Sequence, residues 1–230
     1  MEKRARFFRN IIANVVLIAA LVVTIIYIVP LVAGSETVDE PIVRGDSSDR
    51  VAVMFLVTRD SDAINDILTT LYTHKKTATF FVSGSWVIEN AAGLKNIVAA
   101  GHEIGNAGFF EDSNTKLTAA KVREEIQLNH SLILRTAGVN TNLFLPIHNN
   151  FPIGFVDTAR AMGYTTITGR NARIERGATA AQILLAVTED VEGGDLLLLP
   201  ASGNAANVLG KVLEHIMGLE LRSVTVSDVL

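Results

Sequence analysis

The chain has 230 residues, a formal net charge of −4, no cysteine and 49% hydrophobic residues. That length suits one domain with its own core, which needs no disulfide staples. The mild negative charge, with no basic stripe carrying interleaved aromatics, argues against a nucleic-acid partner.

The opening residues are unlike the rest. Lys3, Arg4, Arg6 and Arg9 precede an uncharged run over residues 11–33, broken only by Asn14, Thr24 and Pro30 among polar or rigid residues. Such a run is long enough to cross a hydrocarbon core of ~30 Å at ~1.5 Å per residue. A cleavable signal peptide has a shorter apolar region, ~7–15 residues. Ala33, Gly34 and Ser35 keep cleavage open, but the length favours an uncleaved anchor. Basic residues before the span, with Glu36, Asp39 and Glu40 after it, put the amino terminus in the cytoplasm and the remainder outside the membrane. The expected organisation is a cytoplasmic tail over 1–10, a transmembrane anchor over 11–33, a polar linker over 34–50 and one domain over 51–230.

Within the domain the pattern alternates. Residues 51–57 (VAVMFLV) read as a buried strand, and 63–72 as a helix with Ile64, Ile67, Leu68 and Leu71 on one face and Asp60, Ser61 or Asp62 as its cap. Thr79-Phe80-Phe81-Val82 is a β-branched and aromatic strand ending at Ser83-Gly84. Leu94, Ile97, Val98 and Ala99 follow at helical spacing up to Gly101, and His102 to Asn106 begins the next strand. Residues 118–137 form a long helix with Val122, Ile126, Leu128, Leu132 and Ile133 as its apolar stripe. Strands at 143–145, 164–168, 196–199 and 223–226 alternate with helices at 155–162, 180–188 and 208–217. Strands that are apolar throughout are buried on both faces, so the sheet is mainly parallel. The expected class is α/β, a barrel of about seven strands preceded by one transmembrane helix, with an open doubly wound sheet still compatible. In either arrangement the functional groups sit at the carboxyl ends of the strands.

ATFFVSG (78–84), GHEIGN (101–106), FLP (144–146), AMGY (161–164), GDLLLL (194–199) and SVTVSDVL (223–230) give the domain a resemblance to the NodB-homology polysaccharide deacetylases over nearly all of residues 51–230. That resemblance implies a distorted (β/α) barrel and metal-dependent removal of acetyl groups from amino sugars of chitin, peptidoglycan and related polymers. A hydrolytic metal takes about three protein ligands plus an open position for water and the substrate carbonyl. In the family an Asp of a TFDDGP motif and two His supply the ligands. The other Asp is the base, an Arg of RPPYG orients it, and a late His is the acid.

This chain departs from that pattern. Aligned on the family, Leu56 takes the base position, Leu145 the arginine and Pro200 the acid; Val57, Ala107 and Glu111 take the metal-ligand positions. The resemblance therefore implies no catalytic set and no metal. Asp60 and Asp62 read as helix caps, His102 as a structural hydrogen-bonding residue, and His74, His130 and His215 as surface residues on helices. The lone Trp86 reads as packing. Leu56, Val57, Ala107, Leu145 and Pro200 together suggest a packed pocket floor, or else a groove for a glycan, lipid or protein segment; packing is favoured. The candidate ligand-binding residues are His148, Asn149, Glu111, Arg170 and Arg173, with Arg176 beside the last two in a loop suited to an anionic envelope polymer.

The expectation is a single-pass cell-membrane protein with an extracytoplasmic, non-catalytic deacetylase-like domain. Its partners would be cell-wall glycan or an envelope protein, with no cofactor. The alternative is a divergent metal-dependent deacetylase acting on N-acetylated cell-wall polysaccharide.

Overall fold

The computed structural model describes residues 14–24, 40–111, 118–148, 151, 154–171 and 177–230. The chain forms two compact units, Met1–Val38 and Asp39–Leu230. In the first, residues 14–24 are helical (α1). The expected span over 11–33 lies outside the described residues except for this stretch. Among the described residues no helix is long and apolar enough to cross a membrane.

The second unit is built on parallel strands β1 (Arg50–Val57), β2 (Thr79–Val82), β3 (Glu103–Asn106), β4 (Leu143–Phe144), β5 (Thr165–Thr166), β6 (Leu196–Pro200) and β7 (Arg222–Val224). Their order is β5-β4-β3-β2-β1-β6. Ala52 pairs with both Leu196 and Val224, so β7 lies on the opposite side of β1 from β6, below β2. β1 is apolar on both faces because both are covered. Val51, Val53, Phe55 and Val57 face one core with α2 (Ile64–Thr73), α3 (Gly84–Glu89), α4 (Ala91–Ala99), α7 (Ala180–Thr188) and α8 (Gly203–Gly218). Ala52, Met54 and Leu56 face an interior cluster with Phe81, Ala107, Leu145, Ile167 and Val226. A third cluster joins α5 (Ala119–Ala137) to α6 (Phe155–Ala161).

The sheet forms a parallel half-barrel, consistent with a distorted (β/α) barrel, and its edge strands approach one another. The Arg170 amide donates to Leu196 O at 3.1 Å. The Asn171 side chain donates to Leu198 O at 2.7 Å and accepts from Leu198 N at 2.9 Å, acting as one residue of extra strand. A strap over residues 40–45 fills the remaining gap: Ile42 bridges Ile167, and Arg44 bridges Asp195. From residue 40 onward, the stretch expected as a polar linker over 34–50 is therefore integral to the domain, because the edges of β5 and β6 need backbone partners that it supplies.

Other expectations shift locally. The helix expected around residues 94–99 is preceded by a separate short helix, α3, whose N-cap Ser83 accepts from Trp86 N; non-helical Asn90 separates α3 from α4. α8 starts at Gly203 instead of 208, since Ser202 caps it and Asp62 Oδ1 accepts the Gly203 amide at 3.1 Å. Asp62 thus serves α8, while α2 begins after Ala63 with no side-chain cap. β7 spans Arg222–Val224 where 223–226 was expected. On α5, Leu128 is 39% exposed, and Glu125 and Asn129 occupy the buried face with Val122, Ile126 and Ile133.

Candidate functional site

β1 ends with two residues that diverge. Leu56 turns inward beside Ala107 and Leu145, all in the interior cluster, and lies in register with Pro200 of β6 and Phe81 of β2. Val57 turns outward and is fully buried against the helices. Pro200 ends β6 half-buried, with Ala201 N donating to Leu56 O at 3.0 Å. Where hydrolysis in the resembling family needs a base, two of the metal ligands, an arginine and an acid, these side chains offer hydrocarbon, without a lone pair or an acidic proton.

Glu111 is the exception. Its Oε1 accepts from Ser83 Oγ at 2.5 Å and from the Arg59 amide at 2.8 Å. Of the three metal-ligand positions, one therefore presents an engaged carboxylate, one an alanine side chain in the interior cluster and one a valine turned into the helical core. That donor set does not fit a hydrolytic divalent ion, which takes about three protein ligands. Among the described residues no three His, Cys, Asp or Glu side chains come together to hold a metal.

Among the other candidates, His148 is exposed after β4, while Asn149, Arg173 and Arg176 lie outside the described residues. Arg170 is engaged within the domain through Nη1, which donates to Asp195 Oδ2 at 2.9 Å and to Asp190 O at 2.5 Å. Asp195 is 2% exposed and also takes Arg44. A buried carboxylate needs such partners, which accounts for the two arginines beside it. His102 packs its ring on Phe80, with centroids 5.3 Å apart, but its buried Nδ1 has no hydrogen-bond partner, so packing replaces the expected hydrogen bond. Burial lowers its pKa below the usual 6.5. Trp86 is buried in the core. His215 is exposed, whereas His74 and His130 are half-buried: His74 Nδ1 lies 2.9 Å from Thr70 O, and His130 Nδ1 lies 2.7 Å from the Tyr164 hydroxyl.

Sequence reasoning missed the polar framework behind the site. Asn129 Nδ2 donates to Val82 O at 2.8 Å and Asn106 Oδ1 at 2.9 Å; Asn106 Oδ1 also accepts from Gly108 N. Tyr164 OH joins Asn106, Thr141 and His130. Glu125 Oε2 accepts the Phe109 and Phe110 amides, both at 2.7 Å. The available signal was the buried period of α5 itself, since residues 122, 125, 126, 129 and 133 lie on one helical face.

The model of the polysaccharide deacetylase family matches residues 45–167, more than half of the chain. The chain belongs to that family. Among curated relatives, YlxY of Bacillus subtilis, an uncharacterized protein, is 29% identical over 191 residues, covering 81% of this chain and 60% of that one. The peptidoglycan-N-acetylmuramic acid deacetylase PdaA of Bacillus subtilis is 29% identical over 102 residues, covering 44% of this chain and 39% of that one. The chain thus spans less than two thirds of either relative. Among solved structures, a CE4 family pseudoenzyme from Bacillus anthracis superposes with a TM-score of 0.76 at 22% identity, covering 83% of this chain and 68% of that one. A mutant of that pseudoenzyme with restored enzymatic activity has the same TM-score. At such identity these likenesses speak to the fold.

Proposed function

We propose that this chain is a membrane-anchored, extracytoplasmic member of the polysaccharide deacetylase family that binds cell-envelope glycan without hydrolysing it. The reading is carried by the meeting of Leu56, Ala107 and Leu145 in one apolar cluster with Met54 and Phe81. General base catalysis and metal-assisted attack both need heteroatoms at those positions. The pseudoenzyme of the same fold in Bacillus anthracis gives the reading a precedent. The name of PdaA points to peptidoglycan as the glycan.

The strands with their bridging strap make a distorted (β/α) barrel, and residues 11–33 make the anchor. Support for the anchor comes from α1, where Val15, Val16, Leu17, Ile18 and Leu21 are all exposed. Apolar side chains around a helix are stable when lipid surrounds them.

The test uses the full chain in detergent micelles, titrated with zinc, cobalt and nickel. It is also assayed for acetate release from N-acetylated glucosamine oligomers and for co-sedimentation with purified peptidoglycan. The expected result is no stoichiometric metal at micromolar affinity, no acetate, and retention on peptidoglycan. Stoichiometric metal with acetate release by the wild-type chain would overturn the reading in favour of a divergent deacetylase. Loss of peptidoglycan retention would overturn the glycan assignment and leave an envelope protein as partner. As a positive control, L56D, V57D, A107H, E111H, L145R and P200H combined rebuild the family set, and acetate release is expected where wild type gives none.

A further inference from the structure

We propose that Glu111 does by hydrogen bonding what the bound ion does in metal-holding members of the fold: it ties together the loops at the carboxyl ends of the strands. The ligand positions of the family fall at the end of β1 (Val57) and in the loop after β3 (Ala107, Glu111), so an ion there cross-links those two segments. In this chain one carboxylate oxygen spans the same gap. Glu111 Oε1 takes the Arg59 amide of the β1–α2 loop at 2.8 Å and the Ser83 hydroxyl at the end of β2 at 2.5 Å. Three strand ends are thereby joined through a single atom.

Residues 108–110, just before Glu111, are anchored on their other side. Gly84 N donates to Gly108 O at 3.0 Å, Ser85 N to Phe109 O at 3.0 Å, and Glu125 takes the Phe109 and Phe110 amides. A carboxylate that follows a segment so constrained is already aimed and loses little freedom when it binds. Ser83 is fixed as well, since its Oγ also caps α3 by accepting from Trp86 N at 3.2 Å. The hydrogen-bonded tie is local and, unlike a tie through an ion, needs nothing bound. It keeps the mouth of the domain shaped although the chemistry has gone. This inference rests on the metal-free reading above, and the test separates the two.

Thermal unfolding of the full chain in micelles is followed for wild type, Glu111→Ala and Glu111→Gln, each with and without zinc, and amide exchange is read at Arg59. The Gln carbonyl keeps an acceptor for both donors, so Glu111→Gln should stay within about 2 °C of wild type, while Glu111→Ala should melt about 3–6 °C lower and exchange the Arg59 amide about tenfold faster. Zinc should move none of the three midpoints. A Glu111→Ala protein that matches wild type in both melting and exchange overturns the tie and leaves the metal-free reading standing. Equal damage from Gln and Ala overturns it too, because the negative charge, and not the acceptor, would then matter. A zinc-induced rise in wild type that Glu111→Ala abolishes overturns both readings, since Glu111 would then be a ligand.

Discussion

At the residue scale, His102 shows how a motif residue can matter without touching a substrate. Its imidazole lies on Phe80 and its buried Nδ1 has no hydrogen-bond partner, so burial favours the neutral ring and lowers its pKa below 6.5. The unfolded chain keeps the ordinary value and takes up the proton first as the solution is acidified. The stabilising contribution is therefore fully present above pH ~6.5, is lost as pH falls through that unfolded value, and levels off below the lowered folded value. Urea unfolding of wild type and His102→Phe between pH 7.5 and 5 tests this. The phenyl ring keeps the packing and removes the titration, so the difference between the two should move in favour of the variant as pH falls. Parallel profiles would mean that the folded state carries the charge as easily as the unfolded one. The neighbouring Glu103 works through hydrogen bonds instead. Its Oε2 accepts from Thr79 Oγ1 at 2.6 Å and from Ser227 N at 3.3 Å, fastening the carboxyl-terminal segment below the sheet.

At the scale of the element, α5 is the clearest case of a helix whose buried face is partly polar. Asn129 is fully buried, and its amide joins Val82 O of β2 to Asn106 Oδ1 of β3. Asn129→Ala should cost about 1–2 kcal/mol, because it removes two hydrogen bonds while each acceptor keeps another donor, Ala107 N on Val82 O and Gly108 N on Asn106 Oδ1. Chemical denaturation with an unchanged m-value would show this as a pure stability loss; a loss under about 0.5 kcal/mol would mean that the network re-forms without it. The helix was legible in the sequence because Val122, Ile126 and Ile133 keep the period of 3.6. The role of Asn129 was not, because a polar residue on that face is explained only by partners on distant strands. The site divides in the same way. Leu56, Val57, Ala107, Leu145 and Pro200 could be read from motif positions, since what matters there is side-chain identity. The engagement of Glu111 could not, because one of its donors is the backbone amide of Arg59, and a backbone amide leaves no trace in a sequence.

For the whole molecule, the question is how an incomplete barrel keeps its edges together. The parallel sheet could be read from its continuous apolar strands, but the seam between β5 and β6 could not, since it depends on a charged stretch that reads as linker and contacts residues about 150 positions away. Gly169 marks how closely the two edges approach: a Cβ there would meet Leu198 Cβ at 2.7 Å and Leu196 O at 3.2 Å. Asp195 anchors the seam. Its Oδ1 takes Arg44 Nε at 2.9 Å from the strap, and its Oδ2 takes Arg170 at 2.9 Å and the Glu192 amide at 2.9 Å. The two arginines keep part of their surface in water, so removing one should cost little, whereas the carboxylate is buried and shared by three donors. Arg44→Ala should therefore cost about 1 kcal/mol, in the range of exposed ion pairs. Asp195→Ala should cost about 2–4 kcal/mol, approaching that of a broken buried pair. Urea midpoints for the two variants and the double variant measure both numbers and their coupling. If the Asp195→Ala loss is no larger than the Arg44→Ala loss, the carboxylate is not what holds the seam, and the backbone bridges of Ile42 and the Asn171 amide must carry the closure instead.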